Sequence, residues 1–331
     1  MKIRNLLIIL SILATIISLY YLQHNRIKYK IKIFALEKTV AETGRELFPR
    51  YKFATQDLIK TYENDLSTIT KEDFLLAKET ASQEEKVKFC VVIPSYNNVN
   101  YATQNINSVF RQNYHNWRAI IIDDNSNDGM SELLVKIKQE SNLPDEKLTI
   151  LRHETRMRSA LYSTHYAANN FCKDNEVLVM LDGDDMLATS SALKQLAEVY
   201  QDGSIWVTYG QQLDNNGTPC NCSREISKEK WQEIRNSPFD TSHLKTCYTW
   251  LFRKIKLEDL KYQGRFITSA CDIPIMFPVL EMAGKERVKA MDHILYIWRT
   301  HQNNENKIYS KEQKKVAEYV SKLPKYKKLD L

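Results

Sequence analysis

Only 8 Gly and 8 Pro occur in 331 residues, too few for a collagen-like or low-complexity chain. None of the six cysteines stands at a CxxC spacing, which argues against a zinc site. Cys90 lies in an apolar run and reads as a small buried hydrophobe, while Cys220 and Cys222 lie in a polar loop and read as surface thiols. The cysteine count leaves the redox compartment open. No internal repeat is present, and no second long apolar run follows residues 5–23. No Gly-rich, basic loop follows the first apolar run either; "PSYNNVN" stands there instead, unlike the phosphate loop a nucleotidyltransferase would use.

What the chain does contain is ample apolar material, 43% of residues, and a net charge of +6. That suffices for one large or two fused domains. Residues 5–23, "NLLIILSILATIISLYYLQ", carry no charge and hold Tyr20 and Tyr21 near one end, a length and an aromatic placement that suit a bilayer-spanning helix. No small-x-small cleavage site follows, so a retained anchor over residues 1–25 is expected rather than a cleaved signal peptide. Lys2 and Arg4 precede the span and Arg26, Lys28, Lys30 and Lys32 follow it, which points the bulk of the chain toward the cytoplasm. Residues 1–88 hold 15 Lys/Arg against 11 Asp/Glu, and residues 307–331 hold 8 against 3. The basic excess therefore sits at the ends, where it suits an anionic lipid surface or an ordinary solvated face, and the middle lacks the basic groove of a nucleic-acid binder.

Charged helical segments such as "TKEDFLLAKETASQEEK" fill residues 26–88 and read as a stem or packing collar. From Phe89 the pattern changes. The runs "FCVVIP", "RAIIID", "KLTILR", "EVLVML" and "IWVTYG" alternate with helical stretches, the mark of doubly buried strands in an α/β layered domain. In such open sheets ligands bind beyond the carboxyl ends of the strands, and polar clusters stand there: "PSYNN", "DDNSNDG" and "DGDD". Pro94 ends the first strand and Tyr96 follows it, either as a face for a planar base or as a cover for the sheet edge. Asp123 and Asp124 end the second, with Ser126 and Asp128 as candidate caps of a helix starting near Met130. Two adjacent acids exceed what capping needs, so Asp124 is a candidate ligand-binding group.

"VLVMLDGDDML" packs Asp182, Asp184 and Asp185 into four positions after a buried strand. Hard oxygen donors on a glycine-containing turn suit Mn²⁺ or Mg²⁺, which in turn neutralises a diphosphate. Gly183 lets the backbone bend and approach the ligand.

With "VVIPSYNN", "IIIDDNSNDG" and "VLVMLDGDD" in this order, the chain resembles the family 2 glycosyltransferases of the GT-A fold, well over residues 89–210 and more loosely over 240–300. The resemblance implies a Rossmann-like layered domain with a mixed central sheet. Residues 89–210 would bind the nucleotide sugar, residues 211–306 the acceptor, and 307–331 would form a basic tail. It implies inverting, metal-dependent transfer of a sugar from a nucleotide-sugar donor, UDP-linked by expectation, to a hydroxyl of a glycan, lipid-linked or protein acceptor. Pro94, Tyr96, Asp123, Asp124, Arg158 and Asp182 would bind the donor, and Asp184 and Asp185 the metal. Asp272, in "ITSACDIPIM", would be the general base, although two residues before Pro274 it is also a natural helix N-cap. His243, Trp250 and Trp298 are candidate acceptor contacts; Tyr296 could stack on a sugar, and His301 could bind hydroxyls or complete a metal shell. The loop "HETRMRSALYSTHYA" lacks the family's frequent glycine, which weakens Arg156 and Arg158 as diphosphate contacts. No QxxRW motif is present, which argues against a processive synthase. The rival readings are a nucleotidyltransferase of similar fold and a catalytically inactive, membrane-tethered binding protein. The catalytic face would be cytoplasmic in a bacterium and in the Golgi lumen in a eukaryote, where alone Asn216 in "NGT" would be a glycosylation acceptor.

Overall fold

The computed structural model describes residues 48–219, 225–237, 239–301 and 310–330. The expected anchor over residues 1–25 lies outside them, as do Cys220 and Cys222. Among the described residues no helix is long and apolar enough to cross a membrane.

The five aliphatic runs all form strands: β1 (Lys88–Ser95), β2 (Trp117–Asp123), β3 (Leu148–Arg152), β4 (Glu176–Met180) and, after the short β5 (Met186–Leu187), β6 (Val207–Asp214). Later come β7 (Lys245–Tyr248), the pair β8 (Lys261–Tyr262) and β9 (Arg265–Phe266), and β10 (Val288–Trp298). Eight strands build one sheet in the order β3-β2-β1-β4-β7-β6-β10-β5. Successive side chains of β1 divide between two cores, as the period of two requires. Phe89, Val91 and Ile93 enter one apolar cluster with the helices Val99–Phe110, Met130–Ser141 and Ala192–Tyr200. Cys90 and Val92 enter a second with the helices Ala160–Asn170 and Ile273–Ala283. Burial on both faces is why these strands read as unbroken apolar runs.

Cys90 is not a free hydrophobe, as expected from its apolar run, but forms a disulfide with Cys172, with Cα atoms 5.9 Å apart. The partner stands 82 residues away, just past the helix Ala160–Asn170, a pairing with no local signature.

Strands β1 to β4 run parallel where they pair; β7 runs antiparallel to both β4 and β6, and β10 runs parallel to β6. It follows that the carboxyl ends of β1, β2, β3, β4, β6 and β10 share one edge of the sheet. Because β7 is reversed, its amino end lies at that same edge: Lys245 pairs with Met180, next to the acidic turn.

The described part of the expected stem packs onto this domain, and Lys52–Leu331 form one unit. In the helix Phe48–Leu66, Leu66 is fully buried and Tyr62 Oη donates to the Leu187 carbonyl at 3.1 Å. The helix Lys71–Lys78 is opened by a Thr70–Asp73 capping box. Arg111 binds Asp73 at 2.7 Å and also pairs with Asp65. The described part of the basic tail is likewise attached: the helix Ser310–Lys322 buries Val316 and Val320, and Leu329 N donates to the Met282 carbonyl at 2.9 Å.

Candidate active site

Three polar clusters converge on Ser95 at the end of β1. Asp124 N donates to the Ser95 carbonyl at 2.8 Å, and Gly183 N to the Pro94 carbonyl at 3.1 Å. A Cβ on Gly183 would stand 2.7 Å from both the Pro94 oxygen and Ser95 Oγ, so the acidic turn lies against β1 closely enough to require glycine. Tyr96, the next residue, is half-buried and carries the Arg156 guanidinium 3.4 Å from its ring centroid, a cation–π contact.

The two acids after β2 have separate tasks. Asp123 is buried, accepting from Ser126 N at 2.9 Å and from Arg152 at 2.8 Å; both oxygens are committed to the fold, so a donor-binding role does not fit its placement. Asp124 accepts from the Met157 and Arg158 amides at 2.7 and 2.8 Å and holds the arginine loop against the site. Arg158 itself is exposed with φ +61°. Asp128 ties two helices, accepting from Val99 N at 2.9 Å and Met130 N at 3.1 Å. Ser126 Oγ, expected as a cap, instead accepts from Asn97 N at 2.8 Å.

Asp182, Asp184 and Asp185 part company at the turn. Asp185 is buried, accepting from Tyr296 Oη at 2.6 Å and Arg299 N at 2.7 Å. Burial pushes its carboxyl well above the usual range, and Asp184 and Asp182 push it further. Its place as an expected metal ligand is therefore corrected: both oxygens face inward, and its role is to pin the turn to β10. Asp184 faces outward and lies 2.8 Å from His301 Nε2, whose ring stacks on Tyr101 at 5.1 Å. Arg299 holds the Asp184 carbonyl and reaches Gln104 at 2.8 Å and Glu63 at 3.2 Å. Asp182 stands 3.7 Å from His243 Nε2.

A carboxylate oxygen and an imidazole nitrogen side by side make a fitting donor pair for Mn²⁺ or Mg²⁺. Such ions take few protein ligands and fill the remainder with water and phosphate oxygens. Among the described residues the one tight cluster of three candidate donors is Cys90, Cys172 and Glu176, where the disulfide removes both sulfurs.

The sheet edge also brings in one residue the sequence did not mark, Lys245. Lys245, almost fully buried, contacts Asp272 Oδ1 and lies 3.0 Å from His243 Nε2. Asp272 precedes the helix Ile273–Ala283, yet its side chain makes no capping bond; it turns to Lys245 instead. Partial burial favours its neutral form, but the adjacent Lys245 ammonium outweighs this and holds the carboxyl below the usual range. Burial and Lys245 push the His243 imidazole down to about 3, so the ring is neutral at physiological pH, stacked on Tyr296 at 4.3 Å. Trp250, expected at an acceptor pocket, sits past the far end of β7, where Tyr248 pairs with Val177, and packs edge-on to Trp206 at 4.9 Å. That is the opposite edge of the sheet from the acids. Trp298 is half-buried against the first core and pairs with Asp214.

The family model of Glycosyl transferase family 2 matches residues 90–261. The chain belongs to glycosyl transferase family 2. An uncharacterized glycosyltransferase of Nostoc sp. is 27% identical over 119 residues, 36% of this chain and 34% of that protein. One of Rickettsia bellii is 36% identical over 78 residues, 23% of this chain and 11% of that protein. The chain thus covers a minor part of the length of these relatives. S. aureus TarS 1-349, in complex with UDP-GlcNAc, aligns with a TM-score of 0.52 at 17% identity over 71% of this chain and 65% of that one. Its complex with UDP aligns at 0.51 and 19% over the same shares. At such identity the likeness establishes a shared fold, the α/β mixed sheet of GT-A type. The matched glycosyl transferase family 2 region holds the turn at Asp182–Asp184 but ends before Asp272 and His301, which the fold brings back to it.

Proposed function

We propose that the protein transfers a sugar from a nucleoside diphosphate sugar to an acceptor hydroxyl with inversion and with a divalent cation. The observation that carries this reading is the placement of two pairs at one sheet edge, Asp184 with His301 and Asp272 with Lys245. The turn between Asp182 and Asp184 is packed onto the backbone that leads to Tyr96. The UDP-GlcNAc and UDP complexes of TarS, on the same fold, support a UDP-linked donor.

Mn²⁺ or Mg²⁺ held by Asp184 and His301 would supply charge neutralisation on the leaving diphosphate. Tyr96 offers its ring to the base once Arg156 moves aside, and Arg156 and Arg158 then lie within their loop's reach of the phosphates. Asp182 faces the ribose. Asp272 takes the proton of the acceptor hydroxyl as that oxygen attacks the anomeric carbon. A single displacement of this kind inverts the centre.

The test is UDP binding by isothermal titration with and without Mn²⁺, followed by UDP release from a panel of UDP- and GDP-sugars. Asp184→Asn should lose metal-dependent turnover by about 100-fold or more. Full turnover in that variant would remove the basis of the reading, and UDP binding without turnover by the native chain would favour an inactive binding protein.

A further inference from the structure

Lys245 has no part yet in the proposed reaction, although it is among the largest fully buried side chains of the protein. An ammonium has three donors and no acceptor, so in its 3.0 Å contact with His243 the imidazole Nε2 must accept. The ring proton of His243 then sits on Nδ1, and the ring is neutral. Removing an ammonium from water costs several kcal/mol unless an anion compensates. The carboxylate in contact with it is that of Asp272; Asp182 stands beyond His243, 3.7 Å from Nε2, and Tyr296 lies against the other face of that ring. The two partners of the ion pair differ in exposure, 2% for the Lys245 side chain against 42% for that of Asp272. Here Oδ1 is clamped from within the protein. No hydrogen bond to Oδ2 from a described residue is present, and the helix that follows makes no use of the side chain as a cap.

We propose that Lys245 is the positioning residue for the general base: its buried ammonium grips Oδ1 of Asp272 from within the protein, so that Oδ2 faces the acceptor hydroxyl. This inference rests on the reading of Asp272 as the base. In the step it serves, the acceptor O–H proton passes to Oδ2, and the electron pair of that O–H bond forms the new bond to the anomeric carbon. The bond from that carbon to the diphosphate oxygen breaks, and its pair leaves with the nucleoside diphosphate. The Lys245 protons stay where they are.

The test reads ionisation directly and needs no knowledge of the acceptor. The full chain, labelled with ¹³C at the aspartate carboxyl carbons, is titrated by NMR, with the Asp272 signal assigned by its loss in Asp272→Asn. In Lys245→Met the Asp272 midpoint should rise by about 1–3 pH units, the range an adjacent opposite charge produces. Lys245→Arg should keep it near the native position. The acid limb of UDP-GlcNAc hydrolysis, with water as the acceptor, should move with the midpoint. UDP affinity unchanged from the native chain shows that each variant is folded. An unmoved Asp272 midpoint in Lys245→Met overturns the inference and leaves the base assignment standing. Native turnover in Asp272→Asn overturns the base assignment whatever the titration shows.

Discussion

At the residue scale, adjacent charges are separated by where each side chain points. Asp185 goes inward to Tyr296 and Arg299, while Asp184 and Asp182 stay at the surface beside His301 and His243. Repulsion in the turn still acts, since beyond burial Asp184 and Asp182 raise the Asp185 carboxyl. His243 has a consequence for stability. Its folded-state pKa of about 3 lies below the ordinary value near 6.5, so between those values the unfolded chain binds the extra proton. Stability should therefore rise with pH through this window, be complete above about 6.5, and fall as the pH drops toward 3. Chemical denaturation of the native chain and of His243→Gln at pH 7 and at pH 5 checks this. The native chain should lose more on acidification, and equal losses would remove the assignment. Tyr96, Asp182 and Asp184 stand at the sheet edge where the sequence expects them, each just after an aliphatic run, whereas Asp124 spends both oxygens on the Met157 and Arg158 amides. The sequence leaves Lys245 unmarked, and it offers His301 for a hydroxyl or a metal shell without showing which carboxylate it meets. Lys245 sits unremarked in "HLKTCY" with its carboxylate 27 residues on, and His301 meets Asp184 across 117 residues. Asp123 and Asp185 were misread for the complementary reason: a sequence shows that acids are adjacent and not which of them faces the core.

At the scale of elements, the reversal of β7 brings His243 and Lys245 to the ligand edge and sends Trp250 away from it. A four-residue strand carries too little periodicity to reveal its direction, whereas the longer runs of β1, β2 and β4 announced themselves by being apolar throughout. The amino-terminal helices illustrate the same limit. Their charged faces suggested a stem, yet Arg111, the C-cap residue after the helix Val99–Phe110, is shared between Asp65 and Asp73, with side chains only 19% and 9% exposed for Arg111 and Asp73. Breaking such a pair leaves buried carboxylate unpaired. Arg111→Ala should destabilise the domain by about 3 kcal/mol, read from the denaturant midpoint. It should also open the segment from residue 56 to 87 to limited proteolysis before the sheet unfolds. A midpoint unchanged from native would show that the ion pairs contribute nothing to docking.

At the scale of the whole molecule, the Cys90–Cys172 bond ties the central strand β1 to the end of the helix Ala160–Asn170 and closes a loop of 82 residues. Loop-closure entropy assigns a crosslink of that span about 4.5 kcal/mol. Intact mass under non-reducing conditions should show the loss of two hydrogens relative to the reduced chain, and adding a reductant should lower the Tm. Two free thiols at these positions in the native protein would contradict the pairing.

Arg299 lends the fold one further property. It grips the Asp184 carbonyl from below and draws its counter-charge from Glu63, which lies upstream of the first strand and of the region matched to the family. The support for the cation turn is thus borrowed from outside the sequence that would be recognised as catalytic. Trimming the gene at Lys88 would keep every strand of the sheet and take Glu63 away from that arginine.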